Sequence, residues 1–129
     1  MSILVQDDGF HPDDWAEGFD SAEVIDLASD TPPGSLEFNA ETRMIRIDFP
    51  NFADGRGFTL ARLLRLRGYR GRLRAHGHVL ADQYAMARRA GFDEVEIEEA
   101  LAARQPQQDW AFRADWRAHD YQARLRGSA

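Results

Sequence analysis

Apolar and polar residues alternate over residues 43–49 (RMIRIDF). Ile45, Ile47 and Phe49 fall on one side, Arg46 and Asp48 on the other. A two-residue period predicts a half-buried strand, and Pro50 ends it. The next eight residues, NFADGRGF, read as a loop, because Asp54-Gly55 and Gly57 supply turn geometry. Thr59 is then placed to cap a helix over 60–67, with Leu60, Leu63 and Leu64 as its buried face. Gly68 and Gly71 bracket its exit.

The alternation returns at 72–77 (RLRAHG), with Leu73 and Ala75 on one side and Arg74 and His76 on the other. Residues 79–91 (VLADQYAMARRAG) read as a second helix. Leu80, Tyr84 and Ala87 recur at helical spacing, and Gly91 stands where a terminating glycine belongs. A third strand follows at 94–97 (EVEI), and a helical segment at 98–104. Gln105 to Gln108 breaks the pattern, and a last helix is expected over 109–126 with Asp109 as cap. Its bulky residues Phe112, Trp116, His119 and Tyr121 form no clean stripe, so part of it is expected to pack on another subunit. Before residue 43 the pattern is weaker. Ile3–Val5 suits an edge strand and HPDDW a loop. Val24, Ile25 and Leu27 suit a short strand or a helical turn, and Thr31-Pro32-Pro33-Gly34 is a breaker.

The order β-α-β-α-β with short connections implies parallel strands joined by right-handed crossovers. The expected fold class is α/β: a small parallel unit, half-barrel-like or three-layered, with N- and C-terminal arms. One domain is expected over 1–129, divided into an acidic arm (1–42), the core (43–97) and a C-terminal helical segment (98–129). Such a unit leaves strand edges and a sheet face open, so a homodimer is expected. In parallel sheets ligands gather at the C-terminal strand ends. Here those ends are Asp48-Phe49 with the following loop, and His76-Gly77-His78.

Charge sharpens this picture. Residues 1–55 carry 13 acids and 2 arginines, and residues 56–129 carry 9 acids and 14 arginines, so segments of −11 and +5 make the net −6. Every basic residue is Arg. That is either a coding bias or a preference for the bidentate guanidinium. An acidic total argues against general nucleic-acid binding. With no cysteine, disulfide and thiolate chemistry within the chain are excluded. No apolar run approaches the ~20 residues of a membrane helix, and no leader pattern opens the chain, so a cytoplasmic protein without membrane partners is expected.

Arg56, Arg62, Arg65 and Arg74 with the loop Asp54, Gly55, Gly57 and Thr59 could bind an oxyanion, since guanidiniums and a helix N-terminus both suit one. The competing reading is salt bridging, Arg56 to Asp54 or Asp82. Asp82 and Gln83 open the second helix. Asp82 is either a helix-dipole or arginine-orienting residue, or a general base. His76 and His78 flank Gly77. They either bind a metal with Asp48 or Asp54, or divide into one packed and one solvated imidazole, with His76 a candidate proton carrier. Packing is the favoured reading, so no metal is assigned, and the His11, Asp13, Asp14 group is read as a solvated loop. Gly55-Arg56-Gly57 is no dinucleotide fingerprint, and no haem, flavin or iron–sulfur motif stands out, so the cofactor stays unassigned.

Phe49-Pro50, Phe52, Asp54-Gly55-Arg56, Ala61-Arg62, Arg65, Arg74-Ala75, Gly77, Leu80, Asp82-Gln83 and Gly91-Phe92 together resemble a bacterial family, domain of unknown function 934. The resemblance covers about residues 43–97. Its members are often labelled as oxidoreductases of sulfite reduction, largely from gene neighbourhood. The resemblance thus implies assimilatory sulfite reduction and partners among its proteins. Many relatives carry Cys-Gly-Phe at Ala90-Gly91-Phe92, and Gly-Asp at Gly77-His78, so chemistry resting on that Cys or Asp is closed to this chain. Two readings follow. One is an oxidoreductase-associated protein that binds a small oxyanion or redox partner at the strand ends. The other is a non-catalytic accessory or assembly factor for sulfite reductase. An open pocket at Arg56, Arg74, His76 and Asp82 would favour the first, and mutual saturation of those side chains the second.

Overall fold

A computed structural model describes residues 2–14 and 23–111. Among these residues six strands form one mixed sheet: β1 (Ser2–Gln6), β2 (Gly9–Pro12), β3 (Val24–Leu27), β4 (Met44–Phe49), β5 (Arg72–Gly77) and β6 (Glu94–Glu98). Their spatial order is β2-β1-β6-β5-β4-β3. β3 to β6 run parallel, while β1 is antiparallel to both β6 and β2. The helices are α1 (Arg56–Leu66), α2 (Tyr84–Ala90), α3 (Glu99–Arg104) and α4 (Gln107–Ala111). The protein is therefore an α/β fold with a largely parallel sheet, and the β4-α1-β5-α2-β6 run stands as the alternation predicts. None of the described helices is long and apolar enough to cross a membrane.

The two-residue period sorts the sheet faces. Ile45, Ile47 and Phe49 of β4, Leu73 and Ala75 of β5, and Val95 and Ile97 of β6 share one buried cluster with Leu60, Ala61 and Leu64 of α1 and Tyr84, Ala87 and Ala90 of α2. Both crossover helices thus cover the same face. Gly57 lets α1 lie close: a Cβ there would stand 2.5 Å from the Phe49 ring.

Several boundaries differ from expectation. α1 begins at Arg56 behind Gly55, with Asp54 accepting from the Arg56 N–H at 3.1 Å, so Thr59 lies inside the helix and is not its cap. The second helix is a 3-10 turn over Ala81–Gln83 followed by α2, which Gly91 ends with φ +118°. His11 and Pro12 belong to edge strand β2, not to a loop, and β1 lies inside the sheet. Proline fits an edge because its missing N–H faces outward. On that edge the Phe10 N–H donates to Gln107 Oε1 at 2.7 Å. α4 starts at Gln107, two residues before Asp109, and the expected helix beyond residue 111 lies outside the described residues. β1, β2 and β3 all come from the first 42 residues, so this acidic segment builds both sheet edges.

The second sheet face is not open at its centre. Leu4, Met44 and Arg74 have no exposed surface, and Glu94 and Glu96 are nearly as buried. Asp13 and Asp14 reach this face, where Asp13 Oδ1 accepts from Arg74 Nη1 at 3.1 Å and Asp14 Oδ1 from Arg72 Nη2 at 2.5 Å.

Candidate functional site

On the second face the register sets Asp26 beside Arg46, Arg46 beside Arg74, and Arg74 beside Glu94. Two neighbouring arginines would repel. Glu96 relieves this: its Oε1 accepts from Arg46 Nη1 at 3.2 Å and from Arg74 Nη1 at 2.8 Å. Glu94 Oε2 accepts from Arg74 Nε at 2.6 Å and from Arg72 Nη2 at 2.7 Å. Asp26 clamps Arg46 through Nε at 2.8 Å and Nη2 at 2.9 Å, which raises the arginine's pKa above its ordinary value. The hydrogen bond from Arg72 lowers that of Asp14. His76, one row along, stands between Asp48 Oδ1 (3.3 Å from Nδ1) and Glu96 Oε2 (3.2 Å from Nε2). Among the described residues no three acidic or imidazole side chains are placed to hold a metal ion.

The strand ends carry a separate group. Asp54 Oδ1 accepts from Arg56 Nε at 2.9 Å, and its Oδ2 accepts from Arg56 Nη2 and from Ser29 Oγ, both at 2.7 Å. The Arg56 guanidinium, then the Ser29 hydroxyl, holds this carboxyl well below the usual carboxylate range. Arg56 itself remains 62 % exposed. It borders a cleft of about 210 Å³ shared with Ser29, Asp30, Thr31 and Thr59. Across the next strand end, the His78 N–H donates to Phe49 O at 2.9 Å. Gly77 permits this with φ +109°, and a Cβ there would meet Phe49 O at 2.8 Å. Gln83 ties the two strand ends together: Oε1 accepts from the Leu80 N–H at 2.9 Å and Nε2 donates to Phe52 O at 3.0 Å. Asp82 sits exposed on the same turn. A cleft of about 50 Å³ at Gly77, His78, Glu98 and Arg104 completes this end. A larger one, about 500 Å³, runs along the β1–β2 hairpin past His11 and Asp13, and Arg56, Arg74, His76 and Asp82 do not line it.

The four arginines expected at one anion site lie apart. Arg56 is at the strand ends and Arg74 is in the buried network. Arg62 is exposed on α1. Arg65 is spent at the opposite end of the sheet, donating to Gly91 O (2.9 Å), Tyr69 O (3.0 Å), Gly71 O (2.8 Å) and Asp93 Oδ2 (3.0 Å). Arg56 takes Asp54, one of the two partners expected of it, and Arg74 takes Glu94, Glu96 and Asp13. The sequence pattern does not by itself point to Glu94, Glu96, Arg46, Ser29 or the Asp13-Asp14 pair as members of this site. The alternation of EVEI beside that of RLRAH was the available signal for the two glutamates, and nothing local signals the others.

The model of the family described as "Bacterial protein of unknown function (DUF934)" matches residues 18–129, most of the chain. The chain belongs to this family. No curated protein and no solved structure matches the DUF934 chain.

Proposed function

We propose that this DUF934 protein is a non-catalytic accessory protein of assimilatory sulfite reduction, acting by binding sulfite reductase. The pathway rests on the family resemblance. The mode of action rests on one observation. Arg74, the candidate at the middle of the sheet, has no exposed surface, and Glu94, Glu96 and Asp13 occupy its guanidinium. His76 is flanked by two carboxylates and Arg56 is held by Asp54. Side chains engaged in this way form a scaffold, and they offer little to a reacting substrate. Isothermal titration of the protein into purified bacterial sulfite reductase tests the reading. Saturable binding without any change in the protein's covalent state supports it, and absence of binding at micromolar concentrations counts against it.

A second reading has its own observation. Arg56 is exposed beside the Ser29–Thr31 cleft at the start of an 11-residue helix, a setting suited to a small oxyanion. A thermal-shift panel of sulfate, sulfite and adenylyl sulfate separates the two. A ligand near 100 times its Kd adds ~2.7 kcal/mol. A shift lost in Arg56→Ala favours the oxyanion reading.

A further inference from the structure

Neither α1 nor α2 contains an acid, although Asp82 is exposed on the 3-10 turn that leads into α2, four residues before Met86. α1 reads RGFTLARLLRL and α2 reads YAMARRA, five arginines in all. The helices pack side by side over one sheet face, each turning its other side to water. Two of the large apolar residues most open to water lie there: Leu66 on α1 is 76 % exposed and Met86 on α2 is 54 % exposed. Arg62 stands one helical turn before Leu66, Arg70 follows α1, and Arg89 lies three residues after Met86, all exposed. Arg65 and Arg88 are largely committed within the fold, to backbone carbonyls and to Asp93 and Asp7.

Met and Arg are enriched at protein interfaces while Asp and Glu are depleted, so this face has the composition of a docking surface. Its charge selects the partner. An apolar centre rimmed by arginines complements an acidic protein surface that offers an apolar contact. Nucleic acid would leave Leu66 and Met86 facing a polar backbone, and the chain's net −6 would oppose it.

We infer that the outward face of α1 and α2, centred on Leu66 and Met86 and rimmed by Arg62, Arg70 and Arg89, docks an acidic protein surface. Only the identity of the partner rests on the accessory reading. Leu66 and Arg62 are exposed, so Leu66→Glu and Arg62→Glu leave the core intact, which circular dichroism checks.

Two arms test this. In the first, a glutamate–tyrosine copolymer is titrated into 15N-labelled protein. Amide shifts should cluster at residues 62–70 and 85–90, weaken about tenfold in Leu66→Glu, and fade at about 0.5 M salt. In the second, purified sulfite reductase is titrated with wild type, Leu66→Glu and Arg104→Glu, the last lying on α3. Binding should weaken about tenfold or more in Leu66→Glu only. Copolymer shifts that are absent or fall elsewhere overturn the inference, as does equal reductase binding by wild type and Leu66→Glu. A homodimer abolished by Leu66→Glu also overturns it, in favour of a second copy as occupant. Copolymer shifts on the helices with no reductase binding uphold this surface and refute the accessory reading.

Discussion

Arg74 and Glu94 face each other across adjacent parallel strands, with Arg74 Nε donating to Glu94 Oε2 at 2.6 Å and both side chains shut from water. A buried charge is tolerable only when its partners are in place, and here Glu96 and Asp13 accept from Arg74 Nη1 while Asp14 Oδ1 stands 3.7 Å from its Nη2. Arg74→Ala is therefore expected to lower stability by about 3–5 kcal/mol. Urea denaturation measures it. Arg74→Met combined with Glu94→Gln should recover part of the loss, because no unpaired charge then remains at that pair.

Arg65 closes the other end of the sheet. Its donors reach three backbone carbonyls and Asp93, a geometry a point-charged ammonium cannot copy. Arg65→Lys is expected to cost about 1.5–3 kcal/mol, the range for hydrogen bonds to a charged group. The thermal midpoint should fall by several degrees, and amide exchange should quicken at 68–72 and 91–93.

Gly77 has φ +109°, and its missing Cβ leaves room for Phe49 O. Gly77→Ala meets both the backbone strain and the clash, so a loss of about 1–3 kcal/mol is expected. Chemical denaturation reads it, and His78 amide exchange reports whether the bond to Phe49 O survives.

Tyr69 is buried, donates to Arg72 O at 2.7 Å, and has its phenol pushed up to about 12. Burial is the main cause. The folded state thus keeps its proton where the unfolded chain loses it. This contribution is intact below pH 10 and is lost between pH 10 and about 12, at no more than about 1.4 kcal/mol per pH unit. Tyr84, also raised by burial and by its hydrogen bond to Asp7, adds to the same alkaline limb. Tyr69→Phe should cost about 1 kcal/mol at neutral pH and flatten that limb. The opposite sign holds for Asp54, whose pKa is lowered. Its contribution is present above the ordinary carboxylate pKa and fades as pH falls through the depressed one. Asp54→Asn should flatten the acid limb.

The core was legible where one period ruled. RMIRIDF, RLRAHG and EVEI alternate cleanly, and their parallel order follows from the helices between them. The start of α1 was misplaced because Asp54 and Gly55 end the loop from within a turn-rich run, where Thr59 carried the usual cap signature. β2 was hidden by Pro12. The strand-end loops were visible from glycine and charge, and the role of Gln83 as a tie between them is consistent with that reading. What could not be read was which arginine meets which acid. Arg74 meets Asp13 from 61 residues away, and Arg72 meets Asp14 from 58. Such pairs are fixed by tertiary packing alone, and they decide whether an arginine cluster is a site or a scaffold.

We propose that the polar cluster is scaffold and that the outward face of α1 and α2 carries the function. Growth on sulfate as sole sulfur source, in a strain lacking this gene, tests it most directly. His76→Gln, Asp82→Asn and Arg56→Ala, once shown to be folded, are expected to restore growth, and folded Leu66→Glu is not. Growth with Leu66→Glu and failure with the folded His76, Asp82 or Arg56 variants would contradict it and return the function to the strand ends.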